Sequence, residues 1–593
     1  MNALKRLAGA FFLAFLIGLI AFSAQDRSGD KISRRLRDSI AESGEESLFT
    51  AWVFFVDKGP NPAQRLEAVE ASLKARALIR RLRHRGPENL VDAYDVPVYA
   101  PYVERLKARV HRIRHRSRWL NAVSLEARGR DLIELADLPF VLRLQPVGTS
   151  TWHDPVSEPK IQARKPIRPL DEYRLDYGDS RAQLELMRVP DLHEQGFSGK
   201  GILICMLDSG FNALDHQALD HLDIVATWDF VNNDPIVGDE TGQMGTGSHG
   251  TSTLGALAGF YPGELIGPAY NASFLLGKTE NTDWERHIEE DHWVAGAEWA
   301  DEWGADIISS SLGYRYDFSH GESGYSWEDM DGDTAVVTRG ANIAAGRGIL
   351  IVNSAGNEGE IEFPLSTLIA PADSPMVLAA GAVDSAGRRV NFSSVGPTAD
   401  GRIKPDVMAQ GTAVRSAVPS ARDAYGWVQG TSFACPLTAG VAALVLEAHP
   451  AWTNLEIMQA LKSTASQADQ PDNRMGWGVV DAVRAVAYSP TAFYPPAEFG
   501  VRRLENNYIF FIQYVDRLHW QKNPLNHGQA VKYRIYTRPA VERLQEYKML
   551  VELDSTTFTY DNRGLLDDEA FTYKITAVDA EGHESPGAYT VSR

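Results

Sequence analysis

Apolar and polar positions follow three different patterns along this chain. Residues 7–22 are almost unbroken apolar, preceded by Lys5 and Arg6 and followed by Ser23 and Ala24. A basic start, a short apolar run and small residues predict a secretory signal cut near Ala24, and the run falls short of the ~20 residues that a spanning helix needs. An uncleaved membrane anchor is the second reading of this segment. Mid-chain runs are shorter: 201–207 (GILICML), 306–313 (DIISSSLG) and 348–352 (GILIV). Short apolar runs without alternation predict strands covered on both faces, as in a parallel sheet. Small-residue stretches at 253–260 and 437–448, and the segment 334–346, predict helices. After residue 497 the period becomes two: Leu518-His519-Trp520, 531–536 and 571–578 alternate apolar and polar, and 579–585 reads as a polar turn. That pattern predicts half-buried antiparallel strands.

Changes of pattern mark the domains. Ahead of the parallel-sheet region, 49–56 reads as a strand and 62–85 as a basic helix, while strands at 119–125 and 140–144 surround a helix at 131–136. Such mixing predicts a compact α+β unit. Residues 154–170 are rich in proline and charge and read as an exposed linker, and Ser489-Pro490 with Pro495-Pro496 close the central region. The predicted order is signal 1–24, leader 25–153, linker 154–170, α/β domain 171–488 and all-β domain 497–593. Charge divides along the same lines. Residues 25–170 hold 27 Lys and Arg against 19 Asp and Glu, a net of +8; with +2 from residues 1–24, the chain's −19 leaves −29 for the rest. A basic leader on an acidic body argues against nucleic-acid binding, because the arginine runs at 80–85 and 112–118 have an acidic partner in their own chain.

Candidate chemistry lies where strands end and helices begin. Asp208-Ser209-Gly210 follows the first apolar strand, and a carboxylate at the carboxyl end of a parallel strand sits where open α/β sheets carry their sites. Residues 247–252, which contain His249-Gly250-Thr251, lead into the small-residue helix 253–260. Asn357 follows the strand ending near residue 352, and Gly430-Thr431-Ser432 precedes the helix 437–448, with Pro436 expected in its first turn. Serine needs an adjacent base to act as a nucleophile, and histidine, with an ordinary pKa near ~6.5, can take and return that proton. Taken one at a time, these are a turn aspartate, a loop histidine, a turn asparagine and a helix-capping serine.

Together and in the order Asp, His, Ser, they resemble the subtilisin-like serine peptidases. The resemblance covers about residues 177–487, starting at Tyr177-Gly178-Asp179-Ser180 and Val189-Pro190-Asp191-Leu192-His193. It implies an α/β fold with a parallel sheet and helices on both faces, a triad of Asp208, His249 and Ser432, and Asn357 as an oxyanion donor. It also implies that Ser311-Leu312-Gly313 pairs with an extended peptide and that Ser354-Ala355-Gly356 forms the opposite wall. Glu358 is expected to be a solvated loop residue. The implied activity is endopeptidase, through an acyl-enzyme and without a cofactor or catalytic metal. The protein would be secreted (extracellular or periplasmic) as a self-processed zymogen, with its own leader as intramolecular inhibitor and proteins or peptides as substrates. A monomer is expected. The last domain resembles a fibronectin type III β-sandwich. The competing class is a catalytically silent scaffold or adhesion protein acting through that domain.

Three features stay outside this chemistry. Cys205 and Cys435 read as buried small residues or as a pair that a secreted chain could oxidise. Asp329, Asp331 and Asp333 suggest part of a calcium loop but lack EF-hand spacing, and Asp331 or Asp333 is expected to cap the helix 334–346. Glu289-Glu290-Asp291 is expected on a solvated helix face. Relatives implied by the resemblance hold structural calcium after the histidine helix, and residues 259–264 match such a loop poorly, so calcium is not indicated.

Overall fold

The computed structural model describes residues 31–87, 89–147, 173–282, 288–316, 324–359, 366–489, 494–507, 512–523, 526, 529–539, 547–565, 569–585 and 587–592. The expected signal 1–24 and linker 154–170 lie outside them. The described chain divides into two compact units: one comprises segments up to residue 57, 100–114 and 123–146, the other 58–99, 115–122 and 147 onward.

In the larger unit the unbroken apolar runs become one seven-stranded sheet. Its spatial order is Val407–Gln410, Val377–Val383, Leu350–Ser354, Ile307–Ser310, Leu203–Asp208, Ser273–Lys278, Asp223–Asp229, and every pairing is parallel. From Leu203–Asp208 the chain goes to the edge strand Asp223–Asp229, returns to Ser273–Lys278 between the two, and then crosses to Ile307–Ser310 on the other side, so Leu203–Asp208 sits where the strand order reverses. Crevices at such points are where open α/β sheets place ligands. Both faces of the strand are apolar. Ile204 and Met206 join one core with helices His249–Ala258 and Thr431–Ala448; Leu203, Cys205 and Leu207 join another with helices Ile288–Trp303 and Val336–Ala345. That double cover explains why no polar alternation survives in the sequence. It also separates the cysteines, since Cys205 faces one core and Cys435 the other, and both are free thiols.

Several expected elements shift. The serine helix begins at Thr431, not 437, so Pro436 lies inside it, and the histidine helix begins at His249 itself. Thr431–Ala448 is apolar and long enough to cross a membrane, but it is packed inside the protein. The expected basic helix 62–85 is two helices, Pro62–Ala71 and Ala75–Arg85. Between them Ser72 Oγ donates to the Val69 carbonyl at 2.8 Å, drawing the backbone out of the helical ladder. Residues 259–264 form part of a small hairpin of Phe260–Tyr261 and Leu265–Ile266.

Glu289, Glu290 and Asp291 are buried, against expectation. Their helix starts beneath other backbone rather than under water. Glu289 Oε1 accepts from Asn281 N at 2.7 Å, and Glu290 accepts from Tyr325 Oη and Val337 N, both at 2.9 Å. The last bond serves an orphan N–H in the first turn of Val336–Ala345, whose own N-cap, Ala335, offers no side-chain acceptor. Neither Asp331 nor Asp333 therefore caps that helix. Asp331 instead folds the preceding turn, accepting from Asp333 N, Thr334 N and Thr334 Oγ1, each at 2.8 Å.

The same unit contains part of the basic leader. Helix Ala75–Arg85 buries Arg80 and Arg81. Arg80 donates to Asp301 and, through Nη1, to the Ala305 carbonyl at 2.6 Å; Arg81 pairs with Asp301 Oδ2 at 2.6 Å and with Asp95 Oδ1 at 2.8 Å. Arg118 reaches Asp301 Oδ2 at 3.1 Å, and Glu298 accepts from Ser117 Oγ at 2.6 Å and Trp119 N at 3.2 Å. Burial alone would raise Asp301, but Arg80, Arg81, Arg118 and Arg347 hold its carboxyl below the ordinary range. In the smaller unit, Leu48–Phe55 pairs antiparallel with Val141–Pro146 in a four-stranded sheet, and helices Arg34–Ser43 and Gly129–Ala136 bury Leu36, Ile40, Leu132 and Leu135.

The alternating C-terminal segments form two antiparallel sheets. One holds Ala497–Asn507, Ile512–Gln521 and Thr559–Leu565; the other holds Lys548–Asp554, Lys532–Pro539, Phe571–Val578 and Ala588–Val591. Val501, Leu518 and Trp520 from the first share a core with Tyr533, Ile535, Tyr573 and Ile575 from the second. Backbone bonds join this sandwich to the α/β domain: Val501 N donates to Asp400 O at 2.9 Å, and Arg402 bridges to Thr590.

The serine helix holds the larger core together, and Leu444 is fully buried in it. Leu444→Ala is expected to lower stability by ~2–5 kcal/mol, the cost of an unfilled leucine site. The denaturation midpoint of the variant against the parent checks this.

Candidate active site

The candidate site forms at the carboxyl end of Leu203–Asp208. Asp208 is the last residue of the strand and its side chain is buried. Its Oδ1 accepts from His249 Nδ1 at 2.8 Å and from Ser209 N at 2.8 Å; its Oδ2 accepts from Thr253 Oγ1 at 2.9 Å. The carboxylate is thus held from three sides, and the histidine donates through Nδ1. Thr253 is a residue that sequence reasoning does not single out. The available signal was its spacing: one turn beyond His249, it lies on the same helix face.

Ser432 is the second residue of its helix. In an uninterrupted helix its carbonyl would accept from the N–H of residue 436, but that residue is proline and has none. Ser311 Oγ donates to the orphaned carbonyl at 2.7 Å, and Ser432 Oγ donates to Ser311 O at 3.3 Å. Two segments 121 residues apart are so joined at the serine. The rings of His249 and Phe433 lie 5.5 Å apart, which puts the Asp208–His249 pair beside the start of the serine helix.

Asn357 is the third component. Its Oδ1 accepts from Thr431 N and Thr431 Oγ1, both at 2.9 Å, which fixes the amide. A Cβ at Gly430 would stand 3.6 Å from Asn357 Nδ2 and 3.6 Å from Ser432 N. Two N–H donors therefore border one small space, kept open because residue 430 is glycine with φ 137°. Ser432 N also lies in the first turn of the helix, where backbone N–H groups lack intrahelical acceptors and the helix end is positive.

The predicted walls are tied to each other. The Leu312 carbonyl accepts from Asn353 Nδ2 at 2.8 Å and from Ser354 Oγ at 3.3 Å. Gly313 packs closely on Ile369: a Cβ there would stand 2.0 Å from Ile369 Cδ1, so any side chain would require Ile369 to shift. Ala355 N donates to Ala380 O at 3.0 Å, and Gly356 O accepts from Ser394 N at 2.9 Å. Glu358 is half-buried rather than solvated. Ser394 Oγ donates to its Oε2 at 3.0 Å, and burial pushes its carboxyl up to about 7. The loop turns inward because Gly359 N bonds Phe392 O at 2.7 Å.

Potential cation ligands stand elsewhere. Among the described residues, one group, Asp579, Glu581 and His583, brings ligand atoms within 4.8 Å of one another; it lies on the turn between C-terminal strands, and His583 Nδ1 already bonds Asp579 Oδ2 at 3.0 Å. Asp329 Oδ2 accepts from Ser326 N at 2.7 Å, so it too serves a turn.

Residues 199–478 match the subtilase (peptidase S8) family model, and residues 50–163 match a peptidase S8 propeptide domain described from Bacteroidota. Subtilisin NAT of Bacillus subtilis subsp. natto is 33% identical over 283 residues, 47% of this chain and 64% of that protein. The chain thus spans just under two thirds of that relative's length. Subtilisin of Bacillus pumilus is 32% identical over 283 residues and is 89% covered. A solved protease of Pseudoalteromonas arctica is 24% identical, with 53% of this chain and 98% of its own aligned at a TM-score of 0.41. On the sequence matches, the chain belongs to the subtilase family and carries a peptidase S8 propeptide domain ahead of its subtilase domain.

Proposed function

We propose that this protein is a secreted serine endopeptidase, made as a self-processed precursor, that cleaves protein or peptide substrates through an acyl-enzyme. The observation that carries the reading is the Asp208–His249 hydrogen bond of 2.8 Å, standing beside a serine whose backbone N–H and the Asn357 amide border one space. In the reaction, Ser432 Oγ attacks the scissile carbonyl carbon while His249 Nε2 takes the hydroxyl proton. Asp208 holds the ring with Nδ1 protonated, so Nε2 is the basic nitrogen, and it stabilises the imidazolium once formed. Negative charge on the carbonyl oxygen is received by Asn357 Nδ2 and Ser432 N. His249 then protonates the leaving amine, the C–N bond breaks, and water hydrolyses the acyl ester by the same steps in reverse. Ser311–Gly313 would receive the substrate as an added strand, with Ser354–Gly356 opposite. No step uses a metal or cofactor.

The leader would act as the intramolecular inhibitor. Its support is electrostatic: Arg80, Arg81 and Arg118, all ahead of the linker, converge on the single buried carboxylate of Asp301. Removing one partner of a buried ion pair leaves an uncompensated charge and costs ~3–5 kcal/mol. Because the Asp301 carboxyl is held below its ordinary range, this hold is complete at neutral pH and is lost only as pH falls through that depressed value. Processing would fall in 154–170. The C-terminal sandwich, with three strands in one sheet and four in the other, is read as fibronectin type III-like and as a rigid appendage, bonded as it is to residues 400–402.

Three outcomes are expected. A fluorophosphonate probe should label the processed protein at Ser432 and not label Ser432→Ala; a folded, processed protein that resists the probe would remove the enzymatic reading in favour of a silent scaffold. Asn357→Ala should lower kcat by about 10²–10³, a magnitude established on subtilisin itself, with KM little changed. In the processed complex, Asp301→Ala should weaken retention of the cleaved leader at least ~100-fold, read as the inhibitor concentration needed for half-maximal inhibition of casein turnover.

A further inference from the structure

The strand carrying Asp208 is flanked in the sheet by Ser273–Lys278 on one side and Ile307–Ser310 on the other. The two segments that leave these neighbours meet above its end. Tyr314, four residues beyond Ser310, is fully buried, and its hydroxyl donates to Glu280 Oε1 at 2.7 Å. Glu280 stands two residues beyond Lys278, next to Thr279, whose N–H donates to the Asp208 carbonyl at 2.9 Å. A single side-chain bond therefore closes a bridge over the carboxyl end of the Asp208 strand, from the segment anchored on Asp208 to the segment that continues Ser311-Leu312-Gly313.

That second segment has little other freedom. Ser311 is bonded to Ser432 through both its hydroxyl and its carbonyl, and Leu312 O is held by Asn353 and Ser354. Tyr314 exchanges backbone bonds with Ala370, N to O at 2.9 Å and O to N at 3.2 Å. An edge that must accept a peptide by strand addition needs its backbone held at a fixed spacing from the reacting groups, because ordering a loose edge is subtracted from affinity. Anchors at Ser432 and Ala370 hold the two ends of the edge, while the phenol fixes it laterally against the Asp208 side.

We infer that Tyr314 and Glu280 are positioning residues: their hydrogen bond holds the Ser311–Gly313 edge at its working distance from the Asp208–His249 pair and thereby sets affinity for the part of an extended peptide that lies N-terminal to the scissile bond. This rests on the peptidase reading above. Burial, with the Asp208 charge nearby, pushes the Glu280 carboxyl up to about 8, so near neutral pH the clamp joins two uncharged groups and adds no second charge beside Asp208. Glutamine mimics that neutral acid and keeps an oxygen for the phenol; alanine does not.

The test compares two substrates on the processed full-length protein: a peptide with four or more residues before the scissile bond and a single-residue ester. Active sites are first counted with the fluorophosphonate probe. Tyr314→Phe and Glu280→Ala are expected to raise KM for the long peptide about tenfold, with kcat within about twofold and ester hydrolysis unchanged. Glu280→Gln should stay within about twofold of the parent on both substrates, and Tyr314→Phe with Glu280→Ala together should be no worse than either alone. Equal losses on the two substrates, or an unchanged long-peptide KM in either single variant, would overturn the inference while leaving the peptidase reading intact. A parent protein that neither binds the probe nor turns over the ester would sink the peptidase reading, and the clamp with it. Should Tyr314→Phe fail to fold, Glu280→Ala against Glu280→Gln makes the same comparison.

Discussion

A buried carboxylate at the end of a parallel strand has to be satisfied, and much of this protein is arranged around meeting that demand at Asp208. Its two oxygens take three donors, from Ser209, His249 and Thr253. Two of the donors come from one turn of a helix that can approach the strand end because Gly250 has no side chain; a Cβ there would meet the Gly210 carbonyl at 2.5 Å. The imidazole is thereby committed to donating from Nδ1, and the orientation of its other nitrogen follows. An acid less completely held would leave the tautomer open, and with it the direction of proton transfer.

Proline placement does related work on the serine side. Pro436 withdraws an N–H that would have tied the Ser432 carbonyl into its own helix, and Ser311 supplies the missing donor from another segment. The nucleophile's backbone is thus coupled to the edge that would bind the peptide. On the proposed reading, the elements that would bind a peptide and the residue that would attack it are hydrogen-bonded to each other, as orienting a scissile bond requires.

Charge follows the same logic of satisfied burial. Helix Ile288–Trp303 turns acidic residues inward at its start, where Glu289 and Glu290 receive backbone N–H groups, and near its end, where Glu298 and Asp301 receive the leader's arginines and backbone. A run such as Glu289-Glu290-Asp291 looks solvated in a sequence because carboxylates are seldom buried. Here the partners that make burial tolerable come from segments far away in the chain, and no local pattern announces them.

How much was legible depended on whether the governing interaction was local. Unbroken apolar runs identified the doubly covered strands, alternation identified the C-terminal sheets, and four short motifs at strand and helix ends identified the candidate site, because periodicity and strand-end chemistry are properties of neighbouring residues. Helix starts were misplaced where the first turn is polar: Thr431-Ser432 and His249-Gly250 carry no apolar period, and the Thr431 N–H finds its acceptor on the distant Asn357. The sequence by itself determined which residue types stand at the ends of which elements. Only the tertiary structure decided which acids are buried, that Thr253 supports Asp208, that Cys205 and Cys435 lie on opposite faces of the sheet, and that Tyr314 meets Glu280 across a strand. Each of those is a contact between segments whose separation in sequence hides their closeness in space.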